Sequence, residues 1–193
     1  TPRKLVLPAA ALIVLIAAGL ILLLQPRGPR LNPKRIVVIP FDNKTGDPKL
    51  ESLGFMTGDW ITQGLMKIEG IAVSSVPDAG ALADISNEKD KIAIVAGGTQ
   101  AGKVVTGAYY LEGETLRFVA QIHDAVKEKL LSALDPVSGP AQEPLKIIEL
   151  LRQRVMAALA LSLETKFPAI LFDQKIPNYT AYQAYAEGTK AFV

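Results

Sequence analysis

Few residues in this chain are of a type and spacing that could do chemistry. Gly97-Gly98-Thr99-Gln100-Ala101-Gly102-Lys103 has the glycine and lysine spacing of a phosphate-cradling P-loop. That mechanism also needs a hydroxyl after the lysine to hold Mg²⁺, and a helix starting there to aim its N–H groups. Val104 stands in the hydroxyl's place and a strand-patterned run follows, so the stretch reads as a glycine-rich turn. The chain has one histidine, His123, and no cysteine. Cysteine nucleophiles, disulfides, thiolate zinc sites and iron–sulfur clusters are thereby excluded, and histidine chemistry must pass through one ring. His123-Asp124 falls where a strand meets a turn. It reads as a partly exposed strand end, with a pH switch as the sharper alternative. Asp84, Glu88 and Asp90 read as a solvated helix face. No catalytic residue, metal-ligand set or cofactor is assigned.

The elements that carry these residues begin with an apolar run. Leu5–Leu24 holds twenty residues without a charge. At ~1.5 Å per residue it would cover about 30 Å, the depth of a bilayer's hydrocarbon core. Pro8 lies in its first turn, where a missing N–H matters least. The run is too long for a signal peptide and lacks the polar stripe a buried core helix of that length would show, so it predicts a retained transmembrane helix with the lipid bilayer as one partner. Residues 1–4 read as a cytoplasmic stub of a longer chain. Gln25-Pro26-Arg27-Gly28-Pro29-Arg30 opens a stiff linker over 25–34.

Six of the 21 lysines and arginines flank this span, and all 19 acidic residues follow position 41. Residues 36–193 therefore hold 15 basic against 19 acidic side chains, a net of −4, which excludes the basic footprint of a nucleic-acid binder. Four basic residues follow the span and two precede it, a bias that alone would keep the following domain in the cytoplasm. Long domains can cross regardless of that bias.

Beyond the linker the pattern alternates between strand and helix. Arg35–Phe41 reads as a buried strand ending in a dense turn signal, Asp42-Asn43-Lys44-Thr45-Gly46-Asp47-Pro48. Glu51–Ile68 reads as a helix stopped by Gly70, Ile71–Val76 as a second strand, Asp78–Ala83 as a brief helical turn, and Asn87–Gly97 as a helix. Val104–Leu111, Thr115–His123 and Lys129–Val137 form an antiparallel meander closed by Ser138-Gly139-Pro140, with Leu116, Phe118, Ala120 and Ile122 on one face. Tyr109 and Tyr110 must point to opposite faces, so only one is core. Pro144–Leu163 is an amphipathic helix with Ile148, Leu151, Val155, Leu159 and Ser162 in one stripe and Arg152 and Arg154 off it. The order β-α-β-α-β-β-β-α predicts an α/β domain with a mixed sheet, its first strands parallel through a right-handed crossover.

Two blocks, RIVVIPFDNKTGDPKLESLGFMTGDWITQGL and VVTGAYYLEGETLRFVAQIHDAV, resemble the TolB amino-terminal-like domain of bacterial membrane signalling proteins. The resemblance covers roughly 35–165. It implies a domain that follows one span and lies outside the cytoplasm, bound to the bacterial cytoplasmic membrane. It implies a kinase or DNA-binding module before the span and tetratricopeptide repeats after the domain, and 178–193 is similar to the first helix of such a repeat. A non-catalytic interaction or sensory role follows, with other proteins as partners; any enzyme, such as a protein kinase, would lie in the missing N-terminal part. The recognisable parts are the Asp42–Asp47 loop and the Gly58–Leu65 stretch. Their plainer roles are structural: Asn43 and Gly46 tolerate positive φ, and Asp59 sits near a helix's first turn. The alternative makes Asp42, Asn43 and Asp59 a ligand or partner loop, since loops after strands in open α/β sheets often bind. Rival readings are an envelope structural scaffold and a nucleotide-binding enzyme using Lys103.

Overall fold

A computed structural model describes residues 30–76, 82 and 85–163. The span Leu5–Leu24, residues 25–29 of the linker, the turn over 78–83 apart from Leu82, Asp84 and the helix from 178 lie outside the described residues. No helix among the described residues is long and apolar enough to cross a membrane. The folded unit starts at Leu31.

Its elements are β1 (Asn32–Val38), β2 (Asp42–Asn43), a 3-10 turn (Pro48–Leu50), α1 (Ser52–Leu65), β3 (Ala72–Ser74), α2 (Glu88–Thr99), β4 (Ala101–Glu112), β5 (Thr115–Asp124), β6 (Lys129–Ala133), β7 (Val137–Pro140) and α3 (Pro144–Leu163). They form a mixed α/β fold. The seven-stranded sheet runs β3-β1-β4-β5-β6, with β2 also on β4 and β7 also on β5. β1 is parallel to β3 and β4, and β5 is antiparallel to β4, β6 and β7. The crossover β1-α1-β3 and the return β3-α2-β4 travel in opposite directions across the sheet. With one handedness for both, their helices must lie on opposite faces. They do. Leu53, Met56, Ile61 and Leu65 of α1 join Ile148, Leu151, Val155 and Leu159 of α3 over Ile36, Val105, Phe118 and Ile122. Val95 and Ala96 of α2 pack on Val37, Ile39 and Val104 from the other side.

Several expectations shift. β1 begins at Asn32, so the last residues of the 25–34 linker are strand. Pro33 is accommodated because the pairing with β4 is irregular between Asn32 and Ile36. The third meander strand is broken into β6 and β7, and Ser138-Gly139-Pro140 belongs to β7 instead of closing the sheet. Pro136 lacks the N–H a continuous ladder needs. The break is held by Arg154, whose Nη1 donates to the carbonyls of Asp135 (2.9 Å) and Pro136 (3.1 Å). α1 ends at Leu65, and Gly70 at φ +84° turns the chain toward β3. Tyr109 is buried and stacks on Phe118 at 5.2 Å between ring centroids, while Tyr110 faces out.

The largest departure is Arg152. It sits on the buried stripe of α3 at 0 % exposure, where an arginine was expected to face water. Its Nε and Nη2 donate to the two carboxylate oxygens of Glu149 at 2.8 and 2.7 Å. Gly64 of α1 makes the room: a Cβ there would lie 3.0 Å from Arg152 Nη1.

Candidate functional site

α2 covers one end of its sheet face and leaves the other open. Its C-terminus turns directly into β4 through Gln100, which has a left-handed φ of 56°. Arg35 neutralises that helix end, with Nη1 donating to the carbonyl of Thr99 at 3.0 Å. At the other end Asn87 caps the helix by accepting from Lys89 N–H at 2.9 Å, and the first helical residue, Glu88, reaches only as far as Thr106. Past Thr106 no helix among the described residues covers the sheet.

Over that bare end lies a cleft of about 700 Å³. Its floor is Ala108 and Tyr110 of β4 with Val119 and Gln121 of β5. Leu82, Ile85 and Glu88 form the wall on the α2 side, and the segment from Ile39 to Lys44 with Phe55 forms the opposite wall. That segment is held by two glycines. A side chain on Gly54 would meet the Phe41 carbonyl, and one on Gly107 would meet the Phe41 ring. Both glycines let Phe41 wedge between α1 and β4, and so fix the cleft's rim.

The structure places Asp42 and Asn43 in this rim. Asp42 forms ion pairs with Lys91 of α2 at 3.1 Å and with Lys44 at 3.7 Å, the first bridging the cleft from loop to helix. Asn43 organises the loop. Its Nδ2 donates to Asp47 O (2.9 Å) and Glu51 Oε2 (3.1 Å), and its Oδ1 accepts from Thr45 N–H and O–H. Both ends of the amide are therefore committed to local structure. Gly46 has φ +79°, as a turn there requires, but Asn43 is an ordinary strand residue without positive φ. Asp59 lies in the middle of α1, beyond its first turn, exposed and outside the cleft. α1 begins at Ser52, one residue after the expected Glu51, so Asp59 is its eighth residue.

The P-loop spacing dissolves on folding. Gly97–Thr99 is the last turn of α2 and Ala101–Lys103 the start of β4, so the helix precedes the glycines instead of following them. Lys103 is buried and its Nζ donates to Asp124 Oδ2 at 2.8 Å. Asp124 Oδ1 accepts from the N–H groups of Val126 and Lys127, closing the β5–β6 turn. Burial alone would raise the Asp124 carboxyl; the Lys103 and Lys127 donors outweigh it and hold it below its ordinary value.

Sequence reasoning missed one constellation beside the cleft. Glu88, assigned to a solvated face, accepts from Thr106 Oγ1 at 3.0 Å, and Thr106 Oγ1 lies 3.2 Å from His123 Nε2. His123 Nε2 and Glu88 Oε1 are 3.8 Å apart. Burial lowers the His123 imidazole below its ordinary value, and the Glu88 carboxylate pulls the other way. The available signal was register: Thr106 and His123 lie on the same face of a hairpin that pairs Val104 with His123.

No protein-family model matches the chain. No curated protein matches it either. Among solved structures, it is similar to TolB from Acinetobacter baumannii, 17 % identical over 69 % of this chain and 28 % of that one, with a TM-score of 0.43. It is similar to the LpoB C-terminal domain from Salmonella enterica at 11 % identity, covering 63 % of this chain and 91 % of that one, TM-score 0.44. It is also similar to lipoprotein GNA1162 from Neisseria meningitidis at 18 % identity, covering 68 % and 99 %, TM-score 0.43. The chain spans 28 % of the length of the TolB structure.

Proposed function

We propose that this chain is a membrane-anchored, non-catalytic interaction domain that docks a polypeptide segment of another protein in the cleft over β4 and β5. The observation that carries this reading is the open half of the sheet. An exposed aromatic (Tyr110), flat apolar floor positions (Ala108 and Val119) and a polar rim make a surface suited to a partner's chain. The charged groups around it are tied to local partners, Asp42 to Lys91 and Glu88 to the Thr106 hydroxyl that also meets His123. Lys103, the residue a nucleotide-binding enzyme would need, is locked in a buried ion pair on the other side of the sheet, which removes the support for that alternative.

In this reading Leu5–Leu24 holds the domain to the bacterial cytoplasmic membrane, with the domain on the extracytoplasmic side. A missing N-terminal module and helical repeats starting at 178–193 would make it the connecting piece of a signalling protein. The envelope scaffold reading shares the same docking surface and differs in its partners.

Replacing Tyr110 by a photo-crosslinking phenylalanine analogue in native membranes tests the docking. One discrete protein adduct is expected from Tyr110, and none from the same analogue at Leu150, an exposed position on α3. No adduct, or identical adducts from both positions, overturns the reading. Protease protection in sealed vesicles of known sidedness decides the orientation.

A further inference from the structure

We propose that His123, Thr106 and Glu88 form a proton-responsive latch that sets how firmly the Glu88 carboxylate, already bonded to Thr106 on the sheet, is held away from the cleft. The direction of each hydrogen bond follows from chemistry. An ionised carboxylate can only accept, so Thr106 Oγ1 donates to Glu88 Oε1 across their 3.0 Å contact. The Thr106 oxygen is then left to accept, so His123 Nε2 carries the proton across the 3.2 Å contact. The neutral ring thus has its hydrogen on Nε2 and a free lone pair on Nδ1, and the chain runs His123 to Thr106 to Glu88.

A proton added to Nδ1 changes the balance of these contacts without breaking a covalent bond. The imidazolium now attracts Glu88 directly. Their present separation, 3.8 Å, is about an ångström longer than a charge-assisted N–H···O bond at about 2.8 Å. Among the described residues, Glu88 is the charged group that acts on the ring. β4 brings Val104 and Thr106 to the ring and β6 brings Leu130. Asp124 and Lys103 are paired with each other on the opposite face, and Lys91 is held by Asp42. Glu88 is the first residue of α2, its side chain is 57 % exposed and it lines the cleft wall. Its Oε1 already rests on the Thr106 hydroxyl, so closing the remaining ångström to the ring draws its charge further from the cleft. The proton coupling stands on this geometry alone; its consequence for docking rests on the cleft reading above.

The test is an NMR titration of the full chain in detergent micelles. With one histidine in the sequence, the imidazole Cε1–H signal is unambiguous. The Glu88 side-chain carboxyl carbon is assigned by its disappearance in Glu88→Gln, a substitution at an exposed position. The expected result is an inflection of the Glu88 carboxyl signal at the pH where His123 titrates, and a shift of the His123 titration to lower pH in Glu88→Gln. A Glu88 signal without that inflection, together with an unmoved His123 titration in Glu88→Gln, overturns the latch. Coupled titration with no Tyr110 adduct would remove the docking reading and leave the latch. An adduct with uncoupled titration would do the reverse.

Discussion

Truncating Arg152 tests how this core is held. The guanidinium is fully buried between α3 and α1, makes two bonds of 2.8 and 2.7 Å to Glu149, and fills the space left by Gly64. Arg152→Ala leaves the Glu149 carboxylate, 11 % exposed, with Gln153 Nε2 at 3.0 Å in place of a bidentate cation. Stranding a buried charge in this way costs about 3–5 kcal/mol. For a domain of this size that corresponds to a fall in Tm of roughly 6–20 °C. Replacing both partners, as Arg152→Met with Glu149→Leu, removes the charge and its desolvation together and keeps most of the volume. The double variant should lie within about 2 kcal/mol of the wild type, well above the single one. Trp60, the only tryptophan, belongs to the same core, so its fluorescence during denaturation reports the loss directly. A single variant within about 1 kcal/mol of the wild type, or a double variant as unstable as the single, would refute the argument.

Glycine positions separate two effects that composition alone cannot. Gly98→Ala meets nothing within 4 Å on a helix, so it should stabilise the fold by about 0.5–1 kcal/mol; Gly54→Ala drives a Cβ into the Phe41 carbonyl and should destabilise it and loosen the cleft rim, both read from denaturation midpoints. Lys103→Ala strands buried Asp124 and should cost about 3–5 kcal/mol, with no ATP-analogue binding by calorimetry in either the variant or the wild type. His123 is held below its ordinary value of 6.5, so the unfolded chain takes the proton more readily. Stability should therefore be full above about pH 6.5 and decline as pH falls through that value toward the lower folded one, and His123→Gln should flatten this limb. Asp124, held below 3.8, contributes stability above that pH that is lost as pH falls through its folded value, so a second decline belongs to the acid end.

Which features could be read in advance follows from the range of the interactions. The hairpin of β4 and β5 announces itself because alternation and the turn at Gly113 are local, and Leu116, Phe118, Ala120 and Ile122 are all buried on one face. α3 keeps the expected bounds, Pro144–Leu163, for the same reason. Arg152 was misassigned because its burial depends on Gly64, 88 positions away in sequence and on another helix. The break between β6 and β7 was signalled by Pro136, which the reading of Lys129–Val137 as one strand passed over. At the cleft, Asp42 and Asn43 were within reach of local reasoning. Lys91, Glu88, Thr106 and His123 come together only through the sheet, so their types were visible and their meeting was not.

The cleft itself follows from a difference in length. α2 has 12 residues, about 18 Å at the helical rise. It enters β4 at Ala101 and its first residue bonds Thr106, five residues on, which is about 17 Å of strand. The helix therefore ends where its own length runs out, and β4 continues to Glu112 for roughly another 20 Å. On the opposite face α3 alone has 20 residues, about 30 Å, and α1 lies beside it, so that face is covered. A strand that outruns the one helix packed over it must leave its far end either polar or available. Here Ala108, Tyr110 and Val119 are not polar, and the chain closes the rim around them with Phe41 and the Asp42–Lys91 ion pair instead of burying them. The apolar floor is retained where no helix among the described residues covers it, and this is the physical ground for reading the cleft as a docking surface.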